Sequence, residues 1–277
     1  MQKYIVIADD LTGSNATCSL FKKIGLRAAS ILKLQGDINY DVDVISYSTA
    51  SRGLDKEEAY KKVSEAIKIL KNKDVLVYNK RIDSTLRGNI GTEINAMLDN
   101  LEDDRIAVVI PSYPDSGRIV VNKTMLVNGV LLENSDAGKD PKTPIKTSCV
   151  ESLIQKGIKY SSTYFTLSDI EQPIEEIVKK IQEAIKKSRV LIFDAVNNED
   201  IIKISKAIIH SDIDIVTVDP GPFTLYYSKE LQKKNHLEKK ILMVIGSVTA
   251  TTKKQIEYIL QEEDIFLVKM KVEDFFE

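Results

Sequence analysis

The chain has 277 residues, with 39 lysines and arginines against 41 aspartates and glutamates, for a formal net charge of −2. Hydrophobic residues make up 43% and charged residues 29%, enough for a substantial core in one large domain or two. That balance excludes a disordered chain and a polyanion binder driven by bulk charge, so no nucleic-acid partner is expected.

The N-terminal "MQKYIVIADD" has an apolar run too short for a secretory signal, and no stretch approaches a membrane span. The chain therefore reads as cytoplasmic, with no membrane partner. Cys18 and Cys149 lack CxxC or Cys/His spacing, which fits a reducing compartment better than a disulfide framework or zinc site; no metal ligand set is expected. His210 and His236 sit among lysines and read as surface residues.

Seven segments read as strands in chain order: "KYIVIA", "DVDVISYS", "DVLVYN", "RIAVVIP", "SRVLIFDA", "IDIVTVD" and "KKILMVIG". Each is apolar on both faces, as buried parallel strands are. Between them, "DKEEAYKKVSEAIKILK", "GTEINAMLDNL", "PIEEIVKKIQEAIKK" and "EDIIKISKAIIH" carry apolar residues at helical spacing. The alternation predicts an α/β fold, a doubly wound, mostly parallel sheet with helices on both faces. In such sheets ligands bind at the carboxyl ends of the strands.

Residues 112–150 break the pattern. "VVNKTMLVNGVLL" reads as a hairpin, and the polar, proline-containing stretch after it as an extended flap. Residues 228–240, "SKELQKKNHLEKK", read as a charge-dense helix or linker, which divides the chain into domains 1–235 and 236–277.

Four strand ends carry chemistry. In "IVIADDLTGSNATCSLF", Asp9 and Asp10 end the first strand, and Thr12, Gly13, Ser14 and Asn15 lead into a helix. Adjacent carboxylates repel unless something positive or hydrogen-bonding lies between them, so the pair suits a metal, a protonated partner or a hydroxyl-bearing substrate. Helix capping alone would explain one of these residues but not all. In "YNKRIDSTLRGNIGTEI", Lys80 and Arg81 close a buried strand, followed by Asp83, Ser84, Thr85, Arg87, Gly88 and Asn89. Arginine forks beside glycine-exposed amides at a helix start suit a carboxylate or phosphate. An internal salt-bridge network with Asp83 and Glu93 is the other reading. "PSYPDSGRIVVN" offers Ser112, Tyr113, Asp115 and Arg118 in what is equally a rigid turn, and "VIGSVTATTKKQI" is a glycine-hydroxyl turn at a helix start. Neither a GxxxxGK[ST] loop nor a convincing GxGxxG is present. A haloacid-dehalogenase-type phosphatase would need its aspartates separated by one residue, and here they are adjacent.

With these segments in view, the chain resembles the four-carbon acid sugar kinase family through "IADDLTGSNATC", "KRIDSTLRGNIGTEI", "PSYPDSGR" with "DPKTPIKTS", and "GSVTATTKKQI", in the family's order. The resemblance implies an ATP-dependent kinase that phosphorylates threonate, erythronate or 3-oxo-tetronate, with ATP and Mg²⁺ as cofactors. It implies an N-terminal acid-sugar domain and a C-terminal nucleotide domain. It places Asp9, Thr12 and Gly13 with Lys80, Arg81, Ser84, Arg87, Gly88 and Asn89 in the substrate site, a basic residue holding the substrate carboxylate. Asp10 or Asp83 would orient the attacking hydroxyl, and Ser247 would contact nucleotide.

Two departures stand out. "VDPGPFTLYY" replaces the family's small-residue "GSAGLA" segment, and the glycine-rich ATP stretch is not found. The chain thus reads as truncated, a substrate-binding half with the beginning of a second α/β domain, expected to be inactive alone. A non-catalytic sugar-acid-binding module is the alternative, and self-association into a homo-oligomer stays open.

Overall fold

A computed structural model describes residues 3–34, 40–101, 104–237, 243–262 and 267–268. The chain divides into two compact units, Met1–His236 and Leu237–Glu277. The first is built on β1 (Tyr4–Ala8), α1 (Leu11–Lys22), β2 (Ala28–Ile31), β3 (Val44–Ser48), α2 (Lys56–Leu70), β4 (Val77–Arg81), α3 (Ile90–Asn100) and β5 (Ile106–Val109). An insertion of short strands follows: β6 (Arg118–Val121), β7 (Thr124–Val127) and β8 (Val130–Leu131). The unit then continues through α4 (Val150–Gln155), β9 (Ser162–Phe165), α5 (Leu167–Ile170), α6 (Ile174–Ala184), β10 (Val190–Phe193), α7 (Asn198–His210), β11 (Ile215–Asp219) and α8 (Pro222–Leu237).

Eight strands form one sheet in the order β2-β3-β1-β4-β11-β5-β10-β9, and every pairing in it is parallel. This bears out the doubly wound α/β expectation. The two-sided strand pattern is the cause: Ile5 and Ile7 of β1 enter one apolar core, while Tyr4 and Val6 enter the other. Helices α2 and α3 close the first core with Val63, Ile67, Ile94 and Met97, and α6, α7 and α8 close the second with Ile177, Ile181, Ile204 and Phe223. Each such aliphatic side chain contributes about 1.5–3 kcal/mol when fully buried.

Several elements differ from the sequence expectation. β2 ("AASI") and β9 ("STYF") were not anticipated, because both lie at the edges of the sheet and carry polar residues. The segment "PFTLYY" continues into "SKELQKKNHL" as the single helix α8. Two of its bulky residues, Phe223 and Tyr227, are buried in the core with their ring centroids 5.9 Å apart. The hairpin gains a third strand, since Asn122-Lys123 and Asn128-Gly129 both take left-handed backbone and make two tight turns. In the second unit, residues 243–249 form no strand, and α9 (Ala250–Glu262) follows; the rest of "KKILMVIG" and of "SKELQKKNHLEKK" lies outside the described residues. A parallel strand needs a neighbour to pair with, and the described residues of this unit supply none.

The topology also locates the reactive edge. β1 connects toward β2 and β3 on one side, whereas its neighbour β4 connects through α3 toward β5 on the other. Adjacent connections that diverge open a crevice at the carboxyl ends of these two strands.

Candidate functional site

Asp9 follows β1 directly and is buried, while Asp10 is the N-cap of α1, its Oδ1 accepting the Gly13 amide at 2.6 Å. A Cβ at residue 13 would lie 2.9 Å from that oxygen and 3.3 Å from Arg81 Cγ, so the close approach requires glycine.

What lies between the two carboxylates is Arg52, from the loop after β3. Its Nε and Nη2 donate to Asp9 at 2.7 and 3.1 Å, Nη1 reaches Asp10 Oδ2 at 2.7 Å, and Nη2 stands 3.5 Å from Asp83 Oδ1. One planar fork thereby joins three strand-end carboxylates. Burial raises the Asp9 pKa, against the lowering pull of Lys80 and Arg52. Sequence reasoning overlooked Arg52; the signal was "STASR", hydroxyls and an arginine where a buried strand ends.

Beneath this layer, Lys80 and Glu93 form a fully buried ion pair at 2.8 Å. Lys80 Nζ also donates to the Ile7 and Arg81 carbonyls at 3.2 and 3.0 Å, and Ser51 Oγ donates to Glu93 Oε1 at 2.5 Å. These three acceptors take up the ammonium's three donors, which makes Lys80 the electrostatic floor under Asp9. Asp83 is gripped by Arg87, whose Nε and Nη2 donate to its two oxygens at 2.7 and 3.0 Å. Burial opposes ionisation there, yet Arg87, Arg52 and the Thr85 hydroxyl outweigh it and lower Asp83 from 3.8 to about 2.

Arg81 is different. Only 7% exposed, it donates to the Gly13 carbonyl at 3.4 Å and the Ile82 carbonyl at 2.5 Å, and it forms no ion pair with a carboxylate among the described residues. Burial lowers its pKa, while Asp219, Asp9, Asp83 and Asp10 pull it upward from farther off. Asp219, fully buried at the end of β11, is raised by burial and held by Thr224 and the Gly221 amide.

The fold therefore brings Asp9, Asp10, Gly13, Lys80, Arg81, Asp83 and Arg87 to one crevice. Asn89 ties two loops of it together, its amide donating to the Leu54 carbonyl at 2.8 Å and the Ser51 carbonyl at 3.4 Å. Gly88 takes φ 96°, and a Cβ there would meet the Arg52 backbone at 3.4 Å. Ser84 is half-buried in the same loop, and Thr12 is exposed on the first turn of α1. Ser247 belongs to the second unit, where its hydroxyl lies 2.9 Å from that of Thr252 at the start of α9. No helix among the described residues is long and apolar enough to cross a membrane.

An arginine-bridged carboxylate cluster at the switch point of a parallel sheet offers hydrogen-bond acceptors and cations suited to hydroxyls and acids. The sugar-binding N-terminal domain family matches residues 4–227. The chain belongs to the four-carbon acid sugar kinase family, over its sugar-binding N-terminal domain. It is similar to a D-erythronate kinase of Heliobacterium modesticaldum, 39% identical over 94% of this chain and 60% of the relative. A D-threonate kinase of Salmonella typhimurium is 29% identical, over 93% of this chain and 61% of its own. The chain thus spans about three fifths of the length of these curated relatives. Among solved structures, a domain of unknown function from Bordetella bronchiseptica, described as a domain-swapped dimer with bound citrate, superposes with a TM-score of 0.73 at 24% identity, covering 94% of this chain and 65% of that one. A Haemophilus influenzae protein gives 0.72 at 25% identity, over 93% and 65%. These superpositions agree with the fold.

Proposed function

We propose that the chain is the sugar-acid-binding part of a cytoplasmic, ATP-dependent kinase that phosphorylates a four-carbon acid sugar of the erythronate, threonate or 3-oxo-tetronate type. The observation that carries this reading is Arg81, a buried guanidinium with no carboxylate partner among the described residues, beside Arg52, Lys80 and Arg87, which are already paired. A substrate carboxylate is the partner such a group lacks. Asp9 and Asp10, held side by side by Arg52, face the hydroxyls, and Asp83 or Asp10 orients the one that is phosphorylated.

Asp83, kept ionised by Arg87, can accept a hydrogen bond from an attacking hydroxyl at any physiological pH, so its part is orientation more than proton storage. In the second unit, the hydroxyls of Ser247, Thr249 and Thr252 gather within 3.3 Å of one another at the start of α9, a donor set that fits a phosphate of ATP. Mg²⁺, bound with the nucleotide, would supply charge neutralisation at the transferred group.

A thermal-shift titration of the 277-residue chain with D-erythronate, D-threonate and 3-oxo-tetronate tests the reading. A bound acid should stabilise the fold by about 2.7 kcal/mol at 100 times its Kd. No shift with any of the three acids defeats it.

A further inference from the structure

The stretch "DPKTPI", residues 140–145, crosses the surface as a strap fastened at three points. Ala137 and Ile145 are buried in the core and joined by the Ile145 amide donating to the Ala137 carbonyl at 3.0 Å. Between them, Asp140 divides its carboxylate. Oδ2 takes Arg87 Nη1 at 2.8 Å, and Oδ1 takes the amides of Lys142 and Thr143 at 2.9 and 2.8 Å. One residue therefore shapes the turn and fastens it to the guanidinium that grips Asp83.

The turn sends Lys142 over Gly53, the neighbour of Arg52. A Cβ on Gly53 would stand 3.8 Å from Lys142 Cδ, so the lysine stem lies across the bare backbone beside the site. Lys142 is exposed and has no carboxylate partner among the described residues. The charge balance gives it a purpose. Asp9, Asp10, Asp83 and Asp140 face Arg52, Arg81 and Arg87, while Lys80 is cancelled by Glu93. The crevice holds one carboxylate more than its guanidiniums neutralise, and an acid substrate adds another. With the acid bound that count is two negative, and the exposed Lys142 at the rim offsets one of those charges.

We propose that the strap is the third wall of the sugar-acid site, that Lys142 is the rim cation meeting the substrate carboxylate, and that Asp140 positions it through Arg87. This rests on the sugar-acid reading given above. Calorimetric titration of the 277-residue chain with D-erythronate and D-threonate tests it in Lys142→Gln, Lys142→Arg, Lys139→Ala and Asp140→Asn variants. Lys142→Gln should weaken acid binding about tenfold, the loss of one charge-assisted contact, with the ligand-free melting temperature unchanged. Lys142→Arg should restore most of the affinity, and Lys139→Ala should bind as the parent does. If Asp140 acts by placing Lys142, the Asp140→Asn/Lys142→Gln double variant should bind no more weakly than Lys142→Gln alone.

Parental affinity in Lys142→Gln overturns the rim-cation assignment. An equal loss in Lys139→Ala does the same by reducing the effect to general charge on the strap, and additive losses in the double variant overturn the positioning role. A parent chain that binds neither these acids nor 3-oxo-tetronate overturns the functional reading together with this one.

Discussion

Two stretches of the sheet's carboxyl edge carry buried aspartates in equivalent places and use them in opposite ways. Asp194, directly after β10, receives the Tyr164 hydroxyl at 2.7 Å and the amides of Lys123 and Leu167 at 3.1 Å each. Those donors come from β9, the tight turn between β6 and β7, and the start of α5, so the carboxylate fastens the insertion to the sheet. Asp9, after β1, is held instead by the Arg52 guanidinium, and Asp83, after β4, by the Arg87 fork in addition to the Thr85 hydroxyl. Neutral donors at fixed positions saturate a carboxylate and leave nothing for a ligand, whereas a guanidinium shared among several acids keeps a charged, adjustable edge at the crevice. A strand-end aspartate is thus structural or functional according to what donates to it.

The comparison breaks most visibly at Asp194. Asp194→Ala should cost about 3 kcal/mol in urea unfolding, because three partly buried donors lose their acceptor, with sugar-acid affinity in the surviving folded protein unchanged. Lost affinity at parental stability would make Asp194 a site residue and sink the distinction. Arg81→Met should do the reverse and weaken acid binding by about 2–3 kcal/mol, read by calorimetry, while the melting temperature holds or rises as a buried cation with no ion pair among the described residues is removed.

Arg52→Ala should destabilise by about 2 kcal/mol near neutral pH, since Asp9, Asp10 and Asp83 then face one another without their bridge. That deficit should shrink on acidification, as the carboxylates protonate and cease to repel. The smallest effect is expected for Arg87→Gln. In the parent, Asp83 is depressed from 3.8 to about 2, so its contribution is full above its unfolded value and disappears as pH falls through its folded one. Without the Arg87 fork that contribution should fall by about 1 kcal/mol at neutral pH, with acid unfolding starting at higher pH. Asp9, raised by burial, has the opposite sign, since its ionisation costs stability as pH climbs through the carboxylate range. An acid limb identical in parent and variant would mean that Arg87 does not set the Asp83 ionisation.

Much of this was legible in the chain itself. Apolar residues on both faces of "YIVIA", "VISYS" and "VLIF" dictate buried parallel strands, because only a sheet covered by helices on both sides hides such segments from water. The acidic, hydroxyl and glycine residues after "KYIVIA" and "DVLVYN" marked two of the strand ends that meet at the crevice, since such residues are costly to bury without a purpose. Tertiary structure alone decided the partners. Arg52 joins Asp9, Asp10 and Asp83 across a sheet order that local periodicity does not encode, and Asp140 reaches Arg87 from 53 residues away. It likewise assigned Lys80 to Glu93 while leaving Arg81 without an ion pair among the described residues, although the two basic residues are adjacent in sequence. Successive side chains of a strand point to opposite faces, and which face holds a carboxylate is a property of the packed sheet.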